Sequence, residues 1–259
     1  MRKRLFLNLI SVFIVALTAA AALVLQTSAA AVDYGLGVGG KRVTSDRLSG
    51  EGWKFEPDTN TLTLNGFISD VADKATFMKY DKKTHVYYYA FIRVENSMNL
   101  NIKLEGKEST IGDPYISGHA AERIGNTDSY NTFYGIYNPN GNVTVTGSAR
   151  LKVYTNLRGI SASKLTMDSC TGGIMMGAYT NCIDVQRLIV KGGTKITASC
   201  GYGGAMKLMY NTPIHASKSI DIYDTSEVYS EIERDSDTDD YGISGIYCDG
   251  TINVYGGKL

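Results

Sequence analysis

A basic excess is missing from this 259-residue chain. Its 26 Lys and Arg stand against 26 Asp and Glu, and no basic patch stands out, so nucleic acid is not an expected partner. Proline is scarce at 4, tryptophan at 1 and histidine at 3. His85, His119 and His215 are scattered, and none has a Ser or Cys placed for nucleophilic work. Cys170, Cys182, Cys200 and Cys248 include no Cys-x-x-Cys spacing, which speaks against a metal cluster. An even cysteine count permits disulfides, but a continuous core needs no staples, so buried free thiols are the expectation. No amphipathic helix of useful length follows Ala31, and no segment after it could span a bilayer.

Glycine and tyrosine are abundant instead, at 28 and 18, a mix that suits strands, turns and a wet, aromatic-decorated surface. The chain opens on Arg2-Lys3-Arg4, an apolar run from Leu5 to Leu25, and small residues at Ser28-Ala29-Ala30-Ala31. That is the pattern of a secretory signal peptide over 1–31, cleaved near Ala31. The run is long for such a signal, so an uncleaved anchor is the alternative. No cysteine near the site supports a lipid anchor. The mature chain would carry a net charge of about −3 without the three leading basic residues.

A repeat organises the rest. Gly135-Ile136 precedes alternating Val143/Val145 and Leu151/Val153. The order recurs from Gly159-Ile160, through Leu165/Met167 and Ile174/Met176, and from Cys182-Ile183, through Leu188/Val190 and Ile196/Ala198. Gly204-Ala205 is read as the next marker and Gly245-Ile246 as the last, with Ile220/Ile222, Val228 and Ile252/Val254 as their strands. The markers recur every 22 to 24 residues where the pattern is regular. A single rung of short strands cannot bury its apolar side, but stacked rungs can. The expected fold is all-β, a right-handed parallel β-helix (a solenoid) with about three strands per rung, since parallel crossovers prefer that hand. A β-propeller blade would need 40 or more residues. Glycine and Asn/Asp are expected to supply left-handed turns.

Three stretches exceed the period: about sixteen extra residues in Gly112–Tyr134, counted with Ile111 as a strand marker, about ten around Leu208–Lys218, and nine around Glu231–Tyr241. Insertions on one face of a solenoid often form its binding face. Ile252, Val254 and Leu259 begin a rung that the chain does not finish, so a longer parent chain is expected.

Residues 32–85 read as a small N-terminal β capping module, with strands around Trp53–Phe55 and Thr61–Leu64 joined by a Pro57–Asn60 turn, and 86–259 as the β-helix. Val86-Tyr87-Tyr88-Tyr89 reads as an edge strand shielding the first rung. The pieces Val38-Gly39-Gly40, Val43-Thr44 and Phe55-Glu56-Pro57-Asp58-Thr59-Asn60-Thr61-Leu62-Thr63-Leu64 resemble the opening module of large secreted, repeat-rich proteins of Gram-positive gut and soil bacteria, often labelled carbohydrate-binding domain-containing proteins. The Gly-Ile rungs resemble the same group; the insertions at Gly112–Tyr134 and Glu231–Tyr241 do not. The resemblance implies an extracellular protein that binds a polysaccharide or cell-surface glycan, or an adhesin, without catalysis, as a monomer or part of a longer chain. It carries no defined binding residues.

Tyrosine stacks on sugar faces while tolerating water. The insertions offer Tyr115, Tyr130, Tyr134, Tyr210 and Tyr241 as a glycan platform. The acidic run holding Asp235, Asp237, Asp239 and Asp240 is the candidate for calcium, although Asp240 stands where an EF-hand needs glycine and no glutamate closes the loop. Fragments reminiscent of β-helical pectin hydrolases occur at Gly118-His119, Arg123-Ile124, Asn126-Thr127-Asp128 and Asp239-Asp240, but in the wrong order. A stalk or spacer role and a polysaccharide lyase or hydrolase are the competing expectations.

Overall fold

The computed structural model describes residues 30–69, 74–113, 122–123, 130–178, 180–201, 212–233 and 245–259. Among them the chain is nearly all β, with one short 3-10 turn at Pro57–Thr59 and no α-helix. Asp33–Leu259 forms one compact unit. Residues 1–29, nearly all of the expected signal peptide over 1–31, lie outside the described residues.

Two sheets of parallel strands dominate, and the chain alternates between them. The first sheet aligns Leu100–Leu104, Tyr130–Gly147, Arg158–Asp168, Asn181–Lys191 and Ile214–Tyr223, then Ile246–Cys248 and Thr251–Tyr255. The second aligns Ile68–Ser69, Ser109–Gly112, Leu151–Thr155, Ile174–Ala178, Lys195–Gly201 and Glu227–Glu233. This arrangement is compatible with a β-helix or solenoid.

Alternation explains the core. Period-two strands send one set of side chains inward, and in-register pairing stacks each on its counterpart. Val143, Leu165, Leu188 and Ile220 pair in sequence and all are fully buried, as are Val145, Met167, Val190 and Ile222. The next members of the two columns, Ile252 and Val254, are 42% and 45% exposed. In the long strands of the first sheet the alternation slips once, at the exposed neighbours Gln186 and Arg187, with register shifts between Asn138 and Asn142 and between Val185 and Arg187. Two successive outward residues bend the strand there.

The Gly-Ile markers have a steric cause, and it is not left-handed backbone. Neither Gly135 nor Gly159 has a positive φ. A Cβ on Gly135 would lie 2.5 Å from the Gly159 carbonyl oxygen, and one on Gly159 would lie 2.4 Å from that of Cys182. At these two repeats glycine is required because the next repeat's backbone approaches too closely for a Cβ, whereas the following repeat carries Cys182 at the same position.

Three expectations need correction. The marker after Ile183 is Ile214, which pairs with it directly, whereas Ala205 lies outside the described residues. Ile214 matches Ile136, Ile160 and Ile183 in volume and is fully buried; alanine would leave a void there. The extra residues therefore precede Ile214 rather than follow Ala205. In the second sheet Ser109, not Ile111, pairs with Leu151. Ser109 is buried and accepts a hydrogen bond from the Phe67 amide, 3.1 Å, which makes a polar residue tolerable in that column. Lastly, Val86–Val94 is not an edge: it pairs in parallel with Tyr130–Gly147 and in antiparallel with Asp33–Val38 and Thr76–Asp81. Its tyrosines are half-buried between neighbours.

The N-terminal segment joins the same ladder. Trp53–Glu56 and Thr61–Leu64 form an antiparallel hairpin across the Pro57–Thr59 turn, with Asn60 left-handed at φ 49°. Thr61–Leu64 then pairs in parallel with Leu100–Leu104. Trp53, Phe55, Leu62 and Leu64 are buried in the common core. All four cysteines are free thiols; Cys170, Cys182 and Cys200 are buried and Cys248 half-buried. Desolvation pushes the Cys170 thiol up to about 11 and that of Cys182 up as well, so both are held as neutral, inert hydrophobes.

Candidate functional site

With the register corrected, every long insertion occupies the same connection, from a second-sheet strand to the next first-sheet strand. The chain leaves the second sheet at Gly112, Gly201 and Glu233 and rejoins the parallel ladder of the first at Tyr130, Ile214 and Ile246, with Glu122–Arg123 pairing antiparallel beside the first of these. Each return is clamped by a side chain of a neighbouring repeat. Asn156, 2% exposed, accepts from the Phe133 amide at 2.7 Å and donates to the Asn131 carbonyl at 2.9 Å. Asn181 donates to the Thr212 carbonyl at 2.6 Å. Ser230 donates to the Gly245 carbonyl at 2.5 Å. Such side-chain bonds replace ladder hydrogen bonds where the strand pattern is interrupted.

Beside these returns runs an outward column of the first sheet. Arg93, Tyr137, Ser161, Asp184, His215 and Tyr247 occupy successive paired positions, each one residue beyond the buried isoleucine column. Parallel strands about 4.8 Å apart bring their side chains into contact. Asp184 is the hub. One oxygen accepts from His215 Nδ1 at 2.7 Å and the other from Arg158 Nη1 at 2.6 Å. A carboxylate can only accept, so Nδ1 carries the proton and Nε2 is the second face of the ring. Nε2 lies 3.7 Å from Asp249 Oδ2. The imidazole also stacks on the Tyr247 ring, centroids 5.8 Å apart and 17° between planes. Tyr247 is 49% exposed. Arg158 Nε is buried without a hydrogen-bond partner among the described residues.

Aromatic rings continue the patch. Tyr134 packs edge-on against Tyr137 at 4.7 Å and tilts against Tyr88 at 6.5 Å, and Lys79 Nζ sits 4.8 Å over the Tyr88 ring. Tyr134 is 9% exposed, leaving little ring face for a sugar. Burial, against the opposing pull of the Arg158 charge, pushes its phenol up to about 12. The fold thus favours the neutral phenol, whereas an unfolded tyrosine ionises near 10. This contribution is intact below pH 10 and is lost as pH rises toward 12, by about 2–3 kcal/mol for two pH units. Urea melts at pH 9 and pH 11.5 are expected to show this loss in the wild type and a smaller one in Tyr134→Phe.

No family model, curated protein or solved structure matches this chain.

Tyr115, Tyr210 and Tyr241, and the proposed calcium ligands Asp235, Asp237, Asp239 and Asp240, lie outside the described residues. Tyr130 is described only through its backbone, which pairs with Val86 and Arg123. Among the described residues no group of three or more His, Cys, Asp or Glu is arranged to hold a metal ion, and no helix is long and apolar enough to cross a membrane. The residues brought together instead are Arg158, Asp184, His215, Tyr247 and Asp249. Their signal in the sequence was positional: Ser161, Asp184, His215 and Tyr247 each follow a marker isoleucine. Taking Ala205 as a marker hid His215 inside an insertion. Outward aromatics also stand elsewhere, in the Tyr223–Tyr255 stack at 4.8 Å and at Tyr229, whose hydroxyl donates to Glu231 at 3.0 Å. The first group stands beyond the bend of the first sheet, and Tyr229 is on the second sheet.

Proposed function

We propose that this chain is a secreted, right-handed parallel β-helix with about three strands per rung that binds a glycan without cleaving it, on the side where its insertions return. The observation that carries this reading is that the chain returns from three insertions onto strands that bear one polar, aromatic column of the first sheet. Binding residues concentrate on loops held by a rigid scaffold. Planar carboxylate and guanidinium groups beside a tyrosine ring offer the acceptors, donors and apolar face that a sugar presents in complement. Both oxygens of Asp184 are engaged by cationic or imidazole donors, which makes it a poor general base and argues for binding over catalysis. The opening-module resemblance and the N-terminal leader support an extracellular, cell-surface setting.

A glycan array probed with the secreted protein, with and without calcium, tests this. Retention on glycans without release of reducing or unsaturated ends is the expected result. Product release would replace the reading with an enzyme, and absence of retention with a structural spacer. Calcium dependence would bring the acidic insertion into the site.

A further inference from the structure

We infer that Tyr247, His215, Asp249 and Arg158 form the sugar-contact subsite, and that its ligand is a neutral sugar rather than a uronate or sulfated one. The inference rests on the glycan-binding reading and assigns it residues and a ligand class.

The geometry supplies the three elements a pyranose needs. The Tyr247 ring is the stacking surface. It is half exposed, and the imidazole behind it, at 5.8 Å and nearly parallel, fixes its plane. The imidazole is itself fixed, because His215 Nδ1 is held by Asp184 and Asp184 by Arg158. This chain sets the ring before any ligand arrives, so little side-chain entropy is lost on binding. Asp249, with its side chain 49% exposed, provides acceptor oxygens beside the ring for adjacent hydroxyls. Arg158 offers only the guanidinium donors that Asp184 does not take; Nη1 is committed to Asp184, and Nε, buried and unpaired among the described residues, is out of a ligand's reach.

Charge decides the ligand class. Asp184 and Asp249 outnumber Arg158, and His215 lies between the two carboxylates. Among the described residues of this subsite, an anionic sugar would meet two carboxylates and a guanidinium already paired with Asp184. A neutral sugar meets only hydrogen-bonding groups and a ring. Basic residues do occur on the sheet at the bend, half-buried Lys164 and exposed Arg187 and Lys218, and the Lys218 ammonium is turned to Gln186, donating to its Oε1 at 2.7 Å.

The test uses affinity electrophoresis of the secreted chain through gels containing mixed-linkage β-glucan, galactomannan or arabinogalactan, against polygalacturonate and alginate. Retardation by at least one neutral polymer, unchanged at 0.5 M NaCl, is expected, with none by the anionic pair. Tyr247→Ala and Asp249→Ala are each expected to weaken the retarding interaction about tenfold, the scale of one lost ring contact or one hydrogen-bonding group. Tyr229→Ala, on the second sheet, is expected to bind as the wild type does. Circular dichroism melts confirm that each variant is folded. Since Tyr247 and Asp249 are half exposed, both variants should melt within a few degrees of the wild type. Neutral-polymer binding that survives both substitutions overturns the subsite and leaves the glycan reading standing. Preference for polygalacturonate or alginate overturns the ligand class. Failure of the wild type on the array and on every gel overturns both.

Discussion

Leu188→Ala is expected to lower the unfolding free energy by about 3–4 kcal/mol, read from the urea midpoint at unchanged slope. Leu188 is fully buried, with Leu165 above it and Ile220 below it in register, themselves fully buried. Truncation removes the transfer free energy of the lost carbons and opens a cavity. The cavity cannot close cheaply here. Its walls are strands whose spacing is set by continuous backbone ladders on both sides, so the neighbours cannot slide inward without breaking hydrogen bonds. The same change one column member further on, Ile252→Ala, starts from a residue 42% exposed and is expected to cost only about 1 kcal/mol. A similar cost at both positions would contradict the stacked-column account.

Asn156→Leu is expected to cost about 2–5 kcal/mol by the same measurement. The leucine keeps the branched four-atom skeleton of the side chain and removes its donor and acceptor, so the loss reports chiefly hydrogen bonding. Asn156 satisfies two buried backbone groups of the neighbouring repeat, the Phe133 N–H and the Asn131 C=O. Leaving each unpaired costs about 1–3 kcal/mol. A second readout separates this from general destabilisation: the Phe133 amide should exchange with solvent far faster in the variant, while the amides of Leu165 and Leu188 stay protected. If Phe133 remains protected, the clamp is not what holds the strand beside Tyr134. Because Asn131 lies just past an insertion, this substitution also probes how that insertion is tied to the sheet.

Much of this was legible in the sequence because it is local arithmetic. Alternation of Val143/Val145 or Leu188/Val190 identifies inward residues without knowledge of their neighbours, and the recurrence of Ile136, Ile160 and Ile183 identifies the stacking period. The hairpin around Pro57 was legible for the same reason: turn chemistry is confined to a few adjacent residues. The candidate site was not. Tyrosines drew attention by type, yet the one whose side chain is described, Tyr134, is buried by Tyr88 and Tyr137. The paired carboxylate and imidazole carry no spacing signal, since Asp184 and His215 are 31 residues apart in a chain whose regular period is 22 to 24.

By itself, then, the sequence determined the parallel stacking of its regular repeats, because inward residues must be covered by like residues one period away. The tertiary structure alone decided where the count resumes after each insertion. An insertion can absorb any number of residues at little cost in free energy, so the period is lost across it. Only the ladder, by choosing the isoleucine that fills the core over the alanine that would leave a void, placed His215 against Asp184.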